Sequence, residues 1–134
     1  MDERQNLKHW FTLYLDKPYV VVLETITQGL KQAGFVVATE IDIKDTLKRK
    51  LNIDSLPYKV LRAYNPQLIA KAHALAPDTA LLPYNISIAQ LENGSVEVSI
   101  VDPLSLLTLD ANPVLKPVVA EAHLALLNIT GGLQ

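Results

Sequence analysis

Hydrophobic and polar positions along the chain predict strands and helices that follow one another in turn. Residues 11–15 are rich in strand-forming types and stop at Asp16-Lys17-Pro18, which predicts a first strand. Between Pro18 and Ala33, apolar residues recur at spacings of three and four, the pattern of an amphipathic helix, and Gly34 suits the position after its end. Because this segment has many β-branched residues, we expect tertiary packing to hold the helix.

The next part of the chain predicts a strand, a short helix, a second strand and a longer helix. Residues 35–43 begin as a continuous apolar run and then alternate, typical of a strand covered on both faces at one end. Asn65-Pro66 is a helix-entry signal, because the asparagine oxygen can accept from a free backbone N–H while proline fits the first turn. The remaining predicted elements are a basic helix over 45–51, a strand over 58–63 and a helix over 66–76.

The second half of the chain predicts a hairpin and a closing helix. An extended stretch over 79–91 is interrupted by Pro83, and Asn93-Gly94 turns it back into a strand over 95–101, since both residues tolerate positive φ. A short helical segment over 102–107, a helix over 114–127 behind Asn112-Pro113, and a flexible tail at Gly131-Gly132 complete the pattern.

This order of elements predicts an α+β fold with a mainly antiparallel sheet and helices packed on one face. We expect the helices on the face that carries Val37, Ile41, Val60 and Val98, or their neighbours one residue along. The hairpin strands and the last helix are rich in leucine and valine, so we expect a twofold homodimer to cover the remaining apolar surface.

Composition supports one globular domain over residues 1–134, with a core of about 10–128 and flexible ends at 1–8 and 129–134. Hydrophobic residues make up 49% of the chain and charged residues 19%. A chain of 134 residues buries roughly two-thirds of its unfolded surface, so it needs no metal or disulfide for stability. It contains no cysteine, which excludes thiolate catalysis and cysteine-ligated metals.

Charge and hydropathy argue against several classes of binding partner. The net charge of −2 lacks the general attraction to phosphate on which nucleic-acid binders depend. Apolar runs such as 19–23 and 35–38 fall far short of the ~20 residues of a membrane helix. The start of the chain shows no export pattern, so we expect a cytoplasmic protein. His9, His73 and His123 lack the spacing of a zinc motif, and we expect neither metal nor cofactor.

Two short segments carry the most distinctive side chains. Each ends or begins an apolar run with Tyr-Asn beside a proline: Tyr64-Asn65 before Pro66, and Tyr84-Asn85 after Pro83. The hypothesis is that both segments reach one rim of the sheet and that their phenols and amides line one groove. The alternative is that the tyrosines seal the sheet ends and that Asn65 only caps a helix.

Charged residues add two groups of candidates of lower specificity. Glu40 and Asp42 share a strand face and could act as an acid and a base, although strand residues facing solvent are the simpler interpretation. Lys48, with Arg49 and Lys50, could receive an anionic ligand, but a short charge run on a helix is usually a solvated face.

Several motifs in fixed order resemble one known family. They are Gly34-Phe35, Thr39-Glu40-Ile41-Asp42, the segment 46–51, Asn65-Pro66 and Leu81-Leu82-Pro83. Together they resemble the domain of unknown function 302 family, from about Tyr19 to Asp102. The resemblance implies a small α+β domain of the TATA-binding-protein-like class and a dimer, and it implies no activity.

The chain departs from that family at two positions. Members typically carry cysteine just before Asn-Pro and just after the second Leu-Pro, where this chain has Tyr64 and Tyr84. A phenol forms no disulfide and is a weak ligand for soft metals, so any thiol role is lost. Three hypotheses follow: a non-enzymatic dimeric domain that binds a small ligand or partner; an enzyme with a tyrosine acid and Glu40 as base; and a degenerate member that only oligomerises.

Overall fold

The computed structural model describes residues 11–77, 83–101 and 113–133. Within them the chain follows the predicted order of elements. The elements are β1 (Phe11–Leu15), α1 (Tyr19–Gln32), β2 (Val36–Asp42), α2 (Ile43–Leu51), β3 (Tyr58–Tyr64), α3 (Pro66–Leu75), β4 (Tyr84–Gln90), β5 (Val96–Val101), a 3-10 turn (Pro113–Leu115) and α4 (Lys116–Gly131). The helix predicted over 102–107 and the start of the extended stretch at 79–82 lie outside the described residues.

The five strands form one antiparallel sheet in the order β1-β5-β4-β3-β2. One row of paired residues crosses the whole sheet from edge to edge: Thr12, Ser99, Ser87, Val60 and Ile41. With α1 packed on β2 and β4, and α4 packed on α1 and α3, this confirms the predicted α+β class.

Alternation along the strands divides the sheet into two faces. The helix face carries the core, and its buried strand residues are Leu15, Leu61, Ala63, Tyr84, Ile86, Ile88, Val96, Val98 and Ile100. Val22, Ile26 and Leu30 of α1 pack against it, because their spacing places them on one side of the helix. The second face carries Thr12, Tyr14, Val36, Ile41, Tyr58, Val60, Arg62, Tyr64, Asn85, Ser87, Ala89, Glu97 and Ser99.

Strand β2 corrects two expectations. A register shift between Val37 and Thr39 reverses the alternation of β2, so Val37 faces the helices whereas Ile41 lies on the second face. Its partner Val60 lies there too, because it alternates with the buried Leu61 along β3. The apolar start of β2 is also not covered on both faces, because Val36 is 41% exposed on the second face.

The helix ends follow local chemistry. Gly34 adopts φ +88° after α1, which lets the Phe35 N–H donate to the Leu30 carbonyl at 2.8 Å, as the glycine signal predicts. Helix α2 begins at Ile43, because the Asp42 carboxylate accepts from the Asp45 N–H at 2.9 Å. Residues 129–133 are not a separate tail: α4 continues to Gly131, and Leu133 is buried.

The β4–β5 hairpin forms where predicted. Gly94 has φ +88°, and the Asn93 side chain accepts from the Ser95 N–H at 3.0 Å. This turn fixes the register of the two central strands, in which Ile86 and Ile88 pair with Ile100 and Val98.

Candidate functional site

The two tyrosines of the repeated Tyr-Asn segment lie on opposite faces of the sheet. In the β3–β4 register, Tyr84 pairs with Ala63, so Tyr64 is one residue out of step and its side chain is directed to the second face. Tyr84 is 5% exposed, on the helix face, with its ring edge-on to Phe35 at a centroid distance of 6.3 Å. The prediction that both phenols line one groove is therefore wrong.

Asn65 caps a helix, as the alternative interpretation proposed. Its side-chain oxygen accepts from the backbone N–H groups of Gln67 at 3.0 Å and Leu68 at 3.3 Å. Its amide nitrogen donates to the Ala33 carbonyl at 3.4 Å. The side chain is buried and ties the end of α1 to the start of α3, so its polar atoms are committed to the fold.

Asn85 and Tyr64 do share a surface. Asn85 pairs with Arg62 across β3 and β4, and Tyr64 lies two residues along β3 from Arg62, so all three side chains are on the second face. Tyr64 and Asn85 are half-buried and Arg62 is exposed. Within the described part of the chain, Arg62 forms no ion pair.

Glu40 lies on the helix face, away from Tyr64. It shares that face with Asp42, as predicted, because their partners on β3 are Leu61 and Lys59. The Glu40 carboxylate accepts from the Lys59 ammonium at 3.0 Å, with side-chain exposures of 49% and 28%.

The tyrosine near Glu40 is Tyr19, a residue that the sequence did not single out. Its hydroxyl donates to the Ile88 carbonyl at 3.0 Å. Burial, with smaller contributions from the Asp42 and Glu40 carboxylates, raises the pKa of Tyr19 to about 12. Its one sequence signal is a phenol at the first position of a helix, directly before the aliphatic run Val20 to Leu23.

Lys48 has an ordinary surface environment. Its ammonium donates to the Asp54 carboxylate at 3.0 Å, and the two side chains are 55% and 89% exposed. Arg49 of the same helix pairs with Asp45. This geometry favours the solvated-face interpretation of the charge run on α2.

A surface groove of about 370 Å³ lies between α3 and α4. Its lining residues are Lys71, Ala74, Leu75, Pro117, Val118 and Glu121. Both carboxylate oxygens of Glu121 accept from Lys71 at 3.0 Å, so the charged groups at the groove neutralise each other.

The described residues contain neither a metal-binding cluster nor a membrane-spanning helix. No three histidine, aspartate or glutamate side chains among them are grouped so that they could hold a metal ion. None of the helices in the described ranges has the length and apolar character that a membrane crossing requires.

The second face of the sheet exposes several large hydrophobic side chains. Four large side chains on it are well exposed: Tyr14 at 61%, Val36 at 41%, Ile41 at 38% and Tyr58 at 37%. Between them lie small and polar groups, among them Ser87, Ala89 and Asn85. The second face therefore carries aromatic, aliphatic and hydrogen-bonding groups side by side.

The fold and this surface define a small α+β domain with one sheet face packed by helices. The sequence model of a family described as Domain of unknown function DUF302 matches residues 11–130, so the chain belongs to that family. This confirms the resemblance seen in the sequence motifs.

A solved structure supports the same architecture. It is titled as the crystal structure of an uncharacterized conserved protein DUF302 from Bacillus stearothermophilus. It has a TM-score of 0.78 over 92% of this chain and 97% of that chain, at 24% sequence identity. The likeness shows a shared fold. A search among curated proteins finds no match.

Proposed function

We propose that this chain is a non-enzymatic domain that binds a second copy of itself through the second face of its sheet. The observation that carries the proposal is the exposure of Tyr14, Val36, Ile41 and Tyr58 on that face. Burying apolar surface contributes roughly 25 cal/mol per Å², so covering these side chains favours association. The cytoplasmic location remains a sequence prediction.

Pairing of sheet edges is the less suitable route to a dimer. Edge strand β2 contains the register shift at Val37 to Thr39, and such bulges disrupt the ladder that a new strand would have to continue. The opposite edge strand, β1, is only five residues long in the described structure. The face therefore offers the larger and more regular surface.

The association test uses an interface variant and a matched control. Ile41→Asp places a charge on the second face, whereas Leu124→Asp makes the same type of change on α4, where Leu124 is 61% exposed. We expect sedimentation equilibrium to give a dimer for the wild type and for L124D, and a monomer for I41D. Circular dichroism of I41D must match the wild type, and Tyr58→Lys provides a second interface variant.

A dissociation constant of about 1 mM corresponds to a binding free energy of only ~4 kcal/mol. A wild-type chain that stays monomeric up to this concentration would overturn the proposal.

A second candidate function is binding of a small ligand that carries a carboxylate or phosphate. It is favoured by the shared face of Tyr64, Arg62 and Asn85, because an arginine that forms no ion pair with any described residue and an adjacent amide can both donate to an oxyanion. Thermal shift with acetate, citrate and phosphate tests it: R62Q should abolish any stabilisation, while R49Q on α2 should preserve it. Equal shifts in both variants would exclude this site.

The enzyme hypothesis has no geometric support. Glu40 and Tyr64 lie on opposite faces, and Tyr84 is buried against Phe35. The phenol near Glu40 is that of Tyr19, and its raised pKa of about 12 makes it a poorer proton donor than an ordinary tyrosine.

A further inference from the structure

We infer that two copies stack second face to second face about a twofold axis over Ser87, so that Arg62 of each copy meets Glu97 of the other. This inference rests on the proposed homodimer and specifies its geometry. It follows from the positions of two opposite charges on one face.

Arg62 and Glu97 are placed symmetrically about Ser87. Ser87 of β4 pairs with Val60 on one side and Ser99 on the other. Arg62 is two residues beyond Val60, at the level of Asn85. Glu97 is two residues from Ser99 in the opposite direction, at the level of Ala89. The two charges thus occupy opposite corners of a rectangle centred on Ser87.

A twofold axis that runs between two stacked sheets, parallel to both, turns one copy over onto the other. Viewed from above, it exchanges positions that lie at equal distances on the two sides of the axis. With strands about 4.8 Å apart and a rise of about 3.3 Å per residue, the Cα atoms of Arg62 and Glu97 are roughly 16 Å apart on a flat sheet. An axis over Ser87, perpendicular to the line joining them, sets each arginine above the other copy's glutamate. The strands then cross at roughly 70°, near the orthogonal class of sheet packing.

The same axis brings apolar groups together without further adjustment. On the flat grid, Ile41 of one copy lies above Tyr58 of the second copy, and Tyr14 lies above Tyr64 of the second copy. Aromatic groups stacked on each other and on aliphatic side chains are favourable at interfaces. Three of the four well-exposed residues, Tyr14, Ile41 and Tyr58, therefore meet an aromatic or aliphatic side chain of the second copy.

The local state of the two charges is compatible with this pairing. Arg62 is exposed and has no ion-pair partner in the described ranges. The Glu97 carboxylate accepts a hydrogen bond from the Tyr14 phenol, which raises the pKa of Tyr14. A carboxylate accepts about four hydrogen bonds, so Glu97 retains capacity for a guanidinium.

A charge-exchange experiment tests this geometry. Arg62→Glu gives each dimer two Glu–Glu contacts, and Glu97→Arg gives it two Arg–Arg contacts. We expect each variant alone to associate roughly 100-fold more weakly than the wild type, because opposed like charges cost several kcal/mol. An equimolar mixture of R62E and E97R should form a heterodimer, and the double variant R62E/E97R should form a homodimer. Arg49→Glu on α2, outside the face, should leave association unchanged.

The outcomes separate this inference from the proposed function. A monomeric wild type removes the homodimer itself. If the wild type is dimeric and the R62E and E97R variants associate normally, the homodimer stands and this docking geometry is overturned. The geometry is also overturned if both variants are monomeric and folded by circular dichroism, but neither their mixture nor the double variant associates.

Discussion

Ile129 of α4 packs directly onto Gly29 of α1. A methyl group at position 29 would lie 2.8 Å from Cγ2 of Ile129 and 3.3 Å from its Cγ1. These are the branch atoms of a stiff side chain, which cannot rotate away at little cost. The absence of a side chain at Gly29 therefore sets how closely the two helices approach.

Gly29→Ala should destabilise the protein. Alanine in a helix interior normally gains about 1 kcal/mol over glycine, but overpacking costs ~1–3 kcal/mol, and the overlap with Ile129 should outweigh the gain. We expect a net loss of about 1 kcal/mol in the free energy of unfolding, measured in urea. In an Ile129→Ala background the same change should stabilise the protein, and a double-mutant cycle measures the coupling. Additive effects would show that the two residues do not limit helix approach.

Asn65→Ala should lower stability by ~1–2 kcal/mol, because it leaves the N–H groups of Gln67 and Leu68 without their acceptor. Asn65→Ser keeps a side-chain oxygen that can accept at the cap and loses the donation to Ala33, so its cost should be smaller. Asn128→Ala, at an exposed position on α4, provides the matched control and should change stability by less than about 0.5 kcal/mol. Urea titrations that rank N65S below N65A in stability would contradict the capping role.

The two tyrosines should respond very differently to truncation. Tyr84→Ala removes a ring that is 5% exposed in the core and should cost ~3–5 kcal/mol. Tyr64→Ala, at a half-buried position on the second face, should cost the isolated monomer only about 1 kcal/mol. Thermal unfolding of dilute samples makes the comparison. Similar losses in the two variants would mean that the assignment of the rings to opposite faces is incorrect.

Tyr19 should make stability fall at high pH. Its pKa is about 12 in the folded protein, against about 10 in an unfolded chain. Between these values the folded state holds more protons than the unfolded state, so stability decreases as pH rises, while below pH ~10 the contribution is fully present. Because Tyr19 is only partly buried, we expect a loss of about 1 kcal/mol rather than the full value of the shift.

Tyr19→Phe isolates this contribution from other groups that titrate in the same range. The difference in unfolding free energy between wild type and Y19F, measured in urea, should shrink between pH 9 and pH 11.5. A difference that stays constant across this range would exclude Tyr19 as the source.

Local chemistry explains which parts of the fold were predictable. Gly34, Asn93-Gly94 and Asn65-Pro66 end or begin elements for reasons contained in a few adjacent residues, and the structure confirms all three. The bulge in β2 has no comparable signal, because Val37 to Thr39 reads as an ordinary strand. Without it, Ile41 is assigned to the wrong face.

The prediction that Tyr64 and Tyr84 line one groove is wrong for a related reason. The repeated Tyr-Asn pair correctly places Tyr64 and Tyr84 on neighbouring strands at one end of the sheet. Which face each ring occupies depends on an offset of one residue in the pairing, and that offset is set by the packing of the whole core. The surroundings of Glu40 could not be predicted from the sequence either, because its neighbours Lys59 and Tyr19 come from other elements.

The strand order has a consequence for synthesis on the ribosome. Thr12 of β1 hydrogen-bonds to Ser99 of β5 at 2.9 Å, across a separation of 87 residues. At ~5–20 residues per second, β1 leaves the exit tunnel roughly 4 to 17 seconds before β5 does. Strand β1 is therefore the earliest strand of the sheet to be made and the last to find its partner. It is available to chaperones until β5 emerges.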